Sequence, residues 1–383
     1  MPGLRVLLVT ALVVAGLAVG VQGCTDAAQA SHVIHISVDG LASHLLEDLL
    51  ANDSAGHYAS FQRLIDEGAS TFEARTDYTQ SVTIPNHTCM LTGRPAERPA
   101  GQPGSVHHGY LVNLLVDPSW TLHSRGNPEL SYVAGSFGVA HDAGLSTALY
   151  ASKDKFAIFE QSWDVTNGAP DTTGADAGTD KIDFYVNRAS RALDPAILDA
   201  SLMHAAFLTD MAANHFRYAF VHYADPDISG HAYGWGSPQW NTTLQHVNDY
   251  LGDILKLVET DPTLRGQTVV IVTADHGGSA NGHFSPPDPD HYRVPLFIWG
   301  VGVERGVDLY TLNRGSRLRP GTRASPTRPD YDAPLQPIRN GGSGNLALDI
   351  LGLGPIPGST INAAQDLEWA GTRVESPGAE TDS

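Results

Sequence analysis

Three short apolar runs in this chain each end in aspartate: Val38-Asp39, Tyr223-Ala-Asp225-Pro-Asp227 and Ala274-Asp275. Taken alone, an aspartate after such a run is a turn residue, as in the common pair Asp39-Gly40. At one edge of one sheet, three unpaired carboxylates would repel each other and raise one another's pKa. Histidines supply a solution. His231 lies four residues after Asp227, His276 directly follows Asp275, and His283 comes after Ser279-Ala280-Asn281-Gly282. Carboxylate oxygen and imidazole nitrogen together suit zinc or a similar divalent ion. Three of each exceed what one catalytic zinc takes, since it uses three protein ligands and keeps one position open. Two ions fit better, and a pair about 3.5–4 Å apart clamps the attacking and leaving oxygens of an in-line displacement.

A nucleophile is expected in Ser81-Val-Thr-Ile-Pro-Asn-His-Thr-Cys-Met-Leu-Thr-Gly93. Pro85 disfavours the α region for Ile84. The chain should therefore reach Thr83 extended and turn there into a helix, where an early proline is tolerated. A hydroxyl at that point faces unpaired N–H groups and the positive end of the helix dipole, a ready site for phosphate. The competing structural reading makes Thr83 or Ser81 an N-cap only. Ser81 and Thr88 are the alternative nucleophiles.

The elements that must position these groups alternate. Strands are expected at His32–Val38, Thr71–Tyr78 (extended), Leu145–Ala151, Arg217–Tyr223, Thr268–Ala274 and Val294–Gly300, the last at an end or edge because of Pro295. Helices are expected at Tyr58–Glu67 with Gly68 as C-cap, Tyr132–Ala143, Pro195–His215, Gln239–Glu259 and Gly344–Leu351. Alternation favours an α/β fold, a mostly parallel sheet sandwiched between helices. Ligands then bind at the carboxyl ends of the strands. Residues 31–369 are expected as a single catalytic domain, with a cap insertion near 156–195, loops at 94–104, 166–179 and 314–337, and a disordered tail at 370–383.

The formal net charge of -19 excludes a nucleic-acid-binding surface, which needs clustered Lys and Arg. Residues 1–30 are expected to be a signal peptide: Arg5, then an apolar run from Val6 to Val21 too short for a membrane span. Cleavage after Ala28-Gln29-Ala30 competes with a lipoprotein reading in which Cys24 is acylated, the one expected membrane attachment. The protein is thus expected to be exported: secreted, periplasmic or a cell-surface lipoprotein. Cys24 and Cys89 are the only cysteines, so disulfides are not expected to hold the fold.

Four motifs occur in order: Ser37-Val-Asp39-Gly, Thr83-Ile-Pro-Asn-His, Pro226-Asp-Ile-Ser-Gly-His231 and Thr273-Ala-Asp-His-Gly-Gly278. Over Ser31 to Gly300 the chain resembles the alkaline phosphatase superfamily, nearest to its type I phosphodiesterase/nucleotide pyrophosphatase branch. The resemblance implies an alkaline phosphatase-like fold and two divalent metal ions, zinc above all. One ion would be held by Asp227, His231 and a third histidine. The other would be held by Asp39, Asp275, His276 and the oxygen of Thr83. It also implies that Thr83 attacks phosphorus through a phospho-threonine species, with Asn113 holding a phosphate oxygen while Asn86 fixes the turn. The family's later His-Gly pair has no counterpart after Gly278, which leaves His283 and His291, with His283 favoured for its place in a turn that can fold back. Lys153 and Lys155 loosely resemble a Lys-x-Arg pair with which monoesterases of the superfamily hold phosphate. Two of the four lysines of the chain fall there. The substrate implied is a small phosphate ester, possibly a nucleotide. A phosphomonoesterase, a carbon–phosphorus hydrolase and a non-catalytic exported metal-binding protein are the alternatives.

Overall fold

The computed structural model describes residues 30–171, 178–188 and 200–370. Eight strands form one sheet: β1 (His32–Val38), β2 (Ala69–Arg75), β3 (Thr147–Ala151), β4 (Phe184–Asn187), β5 (Tyr218–Tyr223), β6 (Thr268–Thr273), β7 (Arg293–Gly300) and β8 (Val307–Asp308). Their spatial order is β4-β3-β5-β1-β6-β7-β2-β8. From β4 to β6 every pairing is parallel. β7 pairs antiparallel with both neighbours, so it alone runs against the rest.

β1, β5 and β6 are buried at every residue. Their near-continuous apolar runs are what central parallel strands covered on both faces require. Two groups of helices provide the cover. Tyr150 packs its ring against Phe207 of the helix Ser201–Asn214, at a centroid distance of 5.2 Å. His222 meets His87 of the helix Thr83–Thr92 at 5.0 Å. Tyr150 and Val221 are register partners, so His222, the next residue of β5, points to the other face. The first group includes the long amphipathic helix Pro238–Thr260. Its Val247, Leu251, Ile254, Leu255 and Val258 are buried, and its start is capped by the Ser237 side chain.

Two expectations are corrected. Pro295 is not at a sheet edge, because β7 lies between β6 and β2. The proline sits instead where the register with β2 shifts, from Thr71–Leu296 to Ala74–Val294, a bulge that does not need its missing N–H. Gly68 is not a left-handed cap: the helix Ala59–Asp66 ends on Glu67, and Gly68 is absent from the positive-φ residues. A Cβ at Gly68 would fall 2.2 Å from the Ile298 carbonyl oxygen, so the close pass of β7 requires the glycine. The stretch near 156–195, expected to hold a cap insertion, is described in part: it includes the helix Ala157–Ser162 and β4, while 172–177 and 189–195 lie outside the described residues. Of the helix expected over Pro195–His215, residues 195–199 lie outside the described residues, and the described part is helical over Ser201–Asn214. Residues 1–29, with Cys24, and 371–383 lie outside the described residues, so neither the signal peptide nor most of the tail falls on described structure. Cys89 is buried and free.

Candidate active site

β1 lies between β5 and β6 in a register that pairs Val38 with Tyr223 and Ser37 with Thr273. The residues that follow therefore emerge side by side. Asp39 directly follows β1, and Asp275 stands two residues beyond the end of β6. Asp227 stands in the first turn of the helix Asp225–Tyr233, which has Pro226 as its second residue. Asp225 turns away to accept the Ala200 N–H at 2.8 Å. Gly40 makes the assembly possible: its φ is +74°, and a Cβ there would lie 2.9 Å from Asp227 Cα. Its N–H donates to Asp275 Oδ1 at 3.2 Å.

Ligand atoms of Asp39, Asp275 and His276 lie within 4.8 Å of one another, and so do those of Asp227, His276 and His283. His231 joins the second group, with Nε2 at 3.4 Å from Asp227 Oδ1 and 3.1 Å from His283 Nε2. The three imidazoles share one arrangement. Nδ1 of His231, His276 and His283 pairs with the backbone carbonyl of Asn281 (3.1 Å), Gly277 (2.8 Å) and Ser81 (2.6 Å) respectively. A carbonyl can only accept, so the proton is on Nδ1 and the lone pair on Nε2. All three Nε2 atoms converge on Asp227 Oδ1, at 3.4, 3.9 and 3.5 Å. Two lone pairs 3.1 Å apart repel unless a proton or a metal ion lies between them.

The carboxylates make the same demand. Asp39 Oδ1, Asp227 Oδ1, Asp275 Oδ2 and His276 Nε2 are buried without a hydrogen-bond partner. Each such atom would forfeit its hydration uncompensated. Their donor set fits two divalent ions. Burial, with repulsion from Asp39, pushes the Asp275 carboxyl well above the usual carboxylate range. Burial acts the same way on Asp39, but the Lys153 ammonium and the His222 hydrogen bond outweigh it and hold that carboxyl well below. Burial keeps His276 and His283 neutral, the ligating form of imidazole.

Thr83 is the first residue of the helix Thr83–Thr92, after an extended Val82. Its Oγ1 is buried and has no hydrogen-bond partner. The alternatives are both engaged: Ser81 Oγ donates to the His283 carbonyl at 2.5 Å, and Thr88 Oγ1 to the Ile84 carbonyl at 2.8 Å. Asn86 ties the turn, accepting from the Asp77 N–H at 2.9 Å and donating to the Gln80 and Val82 carbonyls. Asn113 Oδ1 accepts from the Ile84 N–H at 3.1 Å and from Lys155 Nζ at 2.9 Å. Burial and the neighbouring Lys153 pull the Lys155 pKa down to about 8. Lys153 reaches between the two ligand groups, to Asp39 Oδ2 at 2.6 Å and Asp227 Oδ2 at 2.5 Å. His291 is engaged elsewhere, with Ser279 Oγ at 3.0 Å and the Ser285 backbone at 3.1 Å.

Two site histidines escape sequence reading. His222 Nε2 donates to Asp39 Oδ2 at 2.9 Å. His87 Nδ1 donates to the Thr83 carbonyl at 2.8 Å, and its Nε2 accepts from Ser37 Oγ at 2.8 Å. His87 had a signal, one helical turn beyond Thr83. His222 had only its place near the end of β5.

The sequence profile of the family described as "Type I phosphodiesterase / nucleotide pyrophosphatase" matches residues 33–99 and 135–286, more than half of the chain. Among solved structures, murine ectonucleotide pyrophosphatase/phosphodiesterase 5, an inactive variant in complex with AMP, aligns with a TM-score of 0.56 at 13% identity over 88% of this chain and 99% of that one. Wild-type alkaline phosphatase PafA aligns at 0.57 with 11% identity over 87% and 98%. At such identities the likeness is one of fold. GPI ethanolamine phosphate transferase 1 of Aspergillus oryzae is 38% identical over 84 residues, 22% of this chain and 8% of that protein. The Saccharomyces cerevisiae protein of that name is 31% identical over 101 residues, 24% and 11% of the two chains. The chain thus matches about a tenth of the length of these curated relatives.

Proposed function

This chain belongs to the type I phosphodiesterase/nucleotide pyrophosphatase family, and on that premise we propose that it is an exported phosphodiesterase that works through Thr83 with two zinc ions. What carries the reading is the convergence of three Nε2 lone pairs and three aspartates, together with the buried, partnerless hydroxyl of Thr83 two residues from Ser81, whose carbonyl holds His283. Asp39, Asp275, His276 and Thr83 would hold one ion, and Asp227, His231 and His283 the other. When bound, the ions supply positive charge to the reacting oxygens and lower the pKa of the hydroxyl. Thr83 Oγ1 attacks phosphorus as the bond to the leaving ester oxygen breaks. Water then takes the phosphoryl group from Thr83 and restores the hydroxyl. Asn113 Oδ1 is committed to Ile84 and Lys155, so its Nδ2 donors are left for a phosphate oxygen. A nucleotide ester is a suitable small substrate, in keeping with the AMP complex of the murine structure. The fungal relatives are named ethanolamine phosphate transferases, whereas in the reading proposed here the acceptor is water.

The test is Thr83→Ala. Turnover of bis-p-nitrophenyl phosphate should vanish while about two divalent ions per chain remain on elemental analysis. Most of the activity surviving would sink the mechanism.

One observation favours a second reading: Lys153 and Lys155 both reach the site. A monoester carries about two negative charges at neutral pH, and two ammonium groups would suit it. The diesterase reading expects kcat/KM for bis-p-nitrophenyl phosphate to exceed that for p-nitrophenyl phosphate. A preference for the monoester that Lys153→Ala removes would make the protein a phosphatase instead.

A further inference from the structure

The turn that delivers Thr83 is gathered around one buried carboxylate, Asp77. Its Oδ1 accepts from the Thr79 N–H at 2.8 Å, the Thr79 hydroxyl at 2.9 Å and the Gln80 N–H at 2.9 Å. Its Oδ2 accepts from the Ala96 N–H at 3.1 Å and from the Tyr331 hydroxyl at 2.7 Å. Ser81, in the same turn, exchanges two hydrogen bonds with His283. A shift of residues 77–82 would therefore move the Thr83 hydroxyl and loosen His283 together. Four of the donors to Asp77 are near it in the chain, but Tyr331 comes from the loop 314–337. Loops are ordinarily the mobile part of a fold, and this one is pinned. Arg75 donates to the Pro320 and Thr327 carbonyls at 2.7 and 3.0 Å. Arg339 donates to the Pro329 carbonyl at 2.5 Å and to the Thr76 carbonyl at 3.1 Å, and its guanidinium stacks on the Tyr331 ring at 4.4 Å. Both arginines are buried, and a buried guanidinium is costly unless it is bonded. Here much of that bonding goes to the backbone that leads into Tyr331.

We propose that Asp77 and Tyr331 are positioning residues: Tyr331 braces Asp77 from the loop 314–337, and Asp77 holds the turn so that Thr83 Oγ1 is aligned for in-line attack. The inference rests on Thr83 as the nucleophile, the reading given above.

The experiment starts from Tyr331→Phe, which removes the hydroxyl and keeps the ring on Arg339. A misplacement of about 1 Å can cost about a hundredfold in rate, so kcat for bis-p-nitrophenyl phosphate should fall about tenfold and KM change less than about twofold. Orthovanadate takes the five-coordinate geometry of the transition state and inorganic phosphate does not. Calorimetry should therefore show vanadate binding weakened about tenfold and phosphate binding unchanged. Asp77→Asn should lose more, and Tyr331→Phe added to it should cost little further, because both act through one contact. Tyr310→Phe is the control. Its buried hydroxyl bonds the Glu73 carbonyl and the Ile338 N–H, each at 3.0 Å, and does not touch the turn. It should lower Tm and leave kcat unchanged. Unchanged kcat and vanadate affinity in Tyr331→Phe overturns the brace and leaves Thr83 as the nucleophile. An equal loss of kcat in Tyr310→Phe overturns it too, since both effects would then be ones of stability. Full additivity in the double variant overturns the route through Asp77. Activity surviving in Thr83→Ala sinks the nucleophile and the brace together. Should Asp77→Asn fail to fold, the comparison of the two tyrosine variants still decides.

Discussion

Once the Nδ1 proton of a histidine is committed to a carbonyl, only Nε2 is left to act. That makes the choice between His283 and His291 testable with one substitution each. His283→Ala should weaken zinc binding at least tenfold in a chelator competition, because it removes a lone pair aimed at Asp227. His291→Ala should change that affinity far less, since its nitrogens serve Ser279 and Ser285. The reverse ranking would show that the wrong histidine has been assigned. A second pair of variants concerns His222, which holds Asp39 by one hydrogen bond. Such outer partners are typically worth 10–100-fold in metal affinity. His222→Ala should show that loss, and His222→Gln, which keeps a donor, should recover part of it. Equal affinity in both variants would reduce His222 to packing. The contrast between these two histidines shows what was legible. His283 could be found because Asp275-His276 announces a site and a glycine turn follows it. His222 could not, because its meaning lies in its register opposite Ser37 of β1, which one sequence does not display. Lys153 and Lys155 were legible through the scarcity of lysine, but not the reach of Lys153 to Asp39 and Asp227.

Elements brought their own surprises where a residue type has two physical uses. Glycine after a helix suggests a left-handed cap, yet Gly68 is there for the Ile298 carbonyl. Proline in a strand suggests an edge, yet Pro295 marks a bulge inside the sheet. The strands themselves were legible because fully buried parallel strands leave long apolar runs. Which strands are neighbours was not, and the antiparallel course of β7 has no local signature. The two tight glycines separate fold from site. Gly68→Ala should destabilise by more than about 2 kcal/mol in urea unfolding, because a backbone carbonyl has to move. Its folded fraction should keep normal zinc affinity. Gly40→Ala carries left-handed strain of about 1–2 kcal/mol and also displaces Asp227. It should therefore lose zinc affinity as well as stability. Unchanged affinity in Gly40→Ala would break the link between the β1 turn and the second ligand group.

For the whole molecule, metal and pH both enter the stability. A ligand at a thousandfold above its Kd adds about 4 kcal/mol, so dialysis against a chelator should lower Tm by several degrees. A Tm indifferent to chelation would contradict the ion sites. Acid acts through a different group. His35 is wholly buried in β1 against Phe220, and burial pushes its pKa down to about 3. The unfolded chain binds a proton there as pH falls through about 6.5, while the folded chain does not until about 3. Stability is therefore complete above 6.5 and is lost below it, at about 1.4 kcal/mol per unit. His35→Phe should reduce the difference in unfolding free energy between pH 7 and pH 5 by roughly 2 kcal/mol. The same pH dependence in the variant would assign the effect to another histidine. The strand order carries a consequence for how the protein is made. β1 precedes the other strands in the chain but lies between β5 and β6, which begin at Tyr218 and Thr268. On the ribosome both its edges stay open while nearly two hundred further residues are added. An unpaired apolar strand is a template for the wrong partner. A nascent chain of this topology has to be held open until its C-terminal half arrives, and the last strand needed to bracket the aspartates decides when the enzyme comes into being.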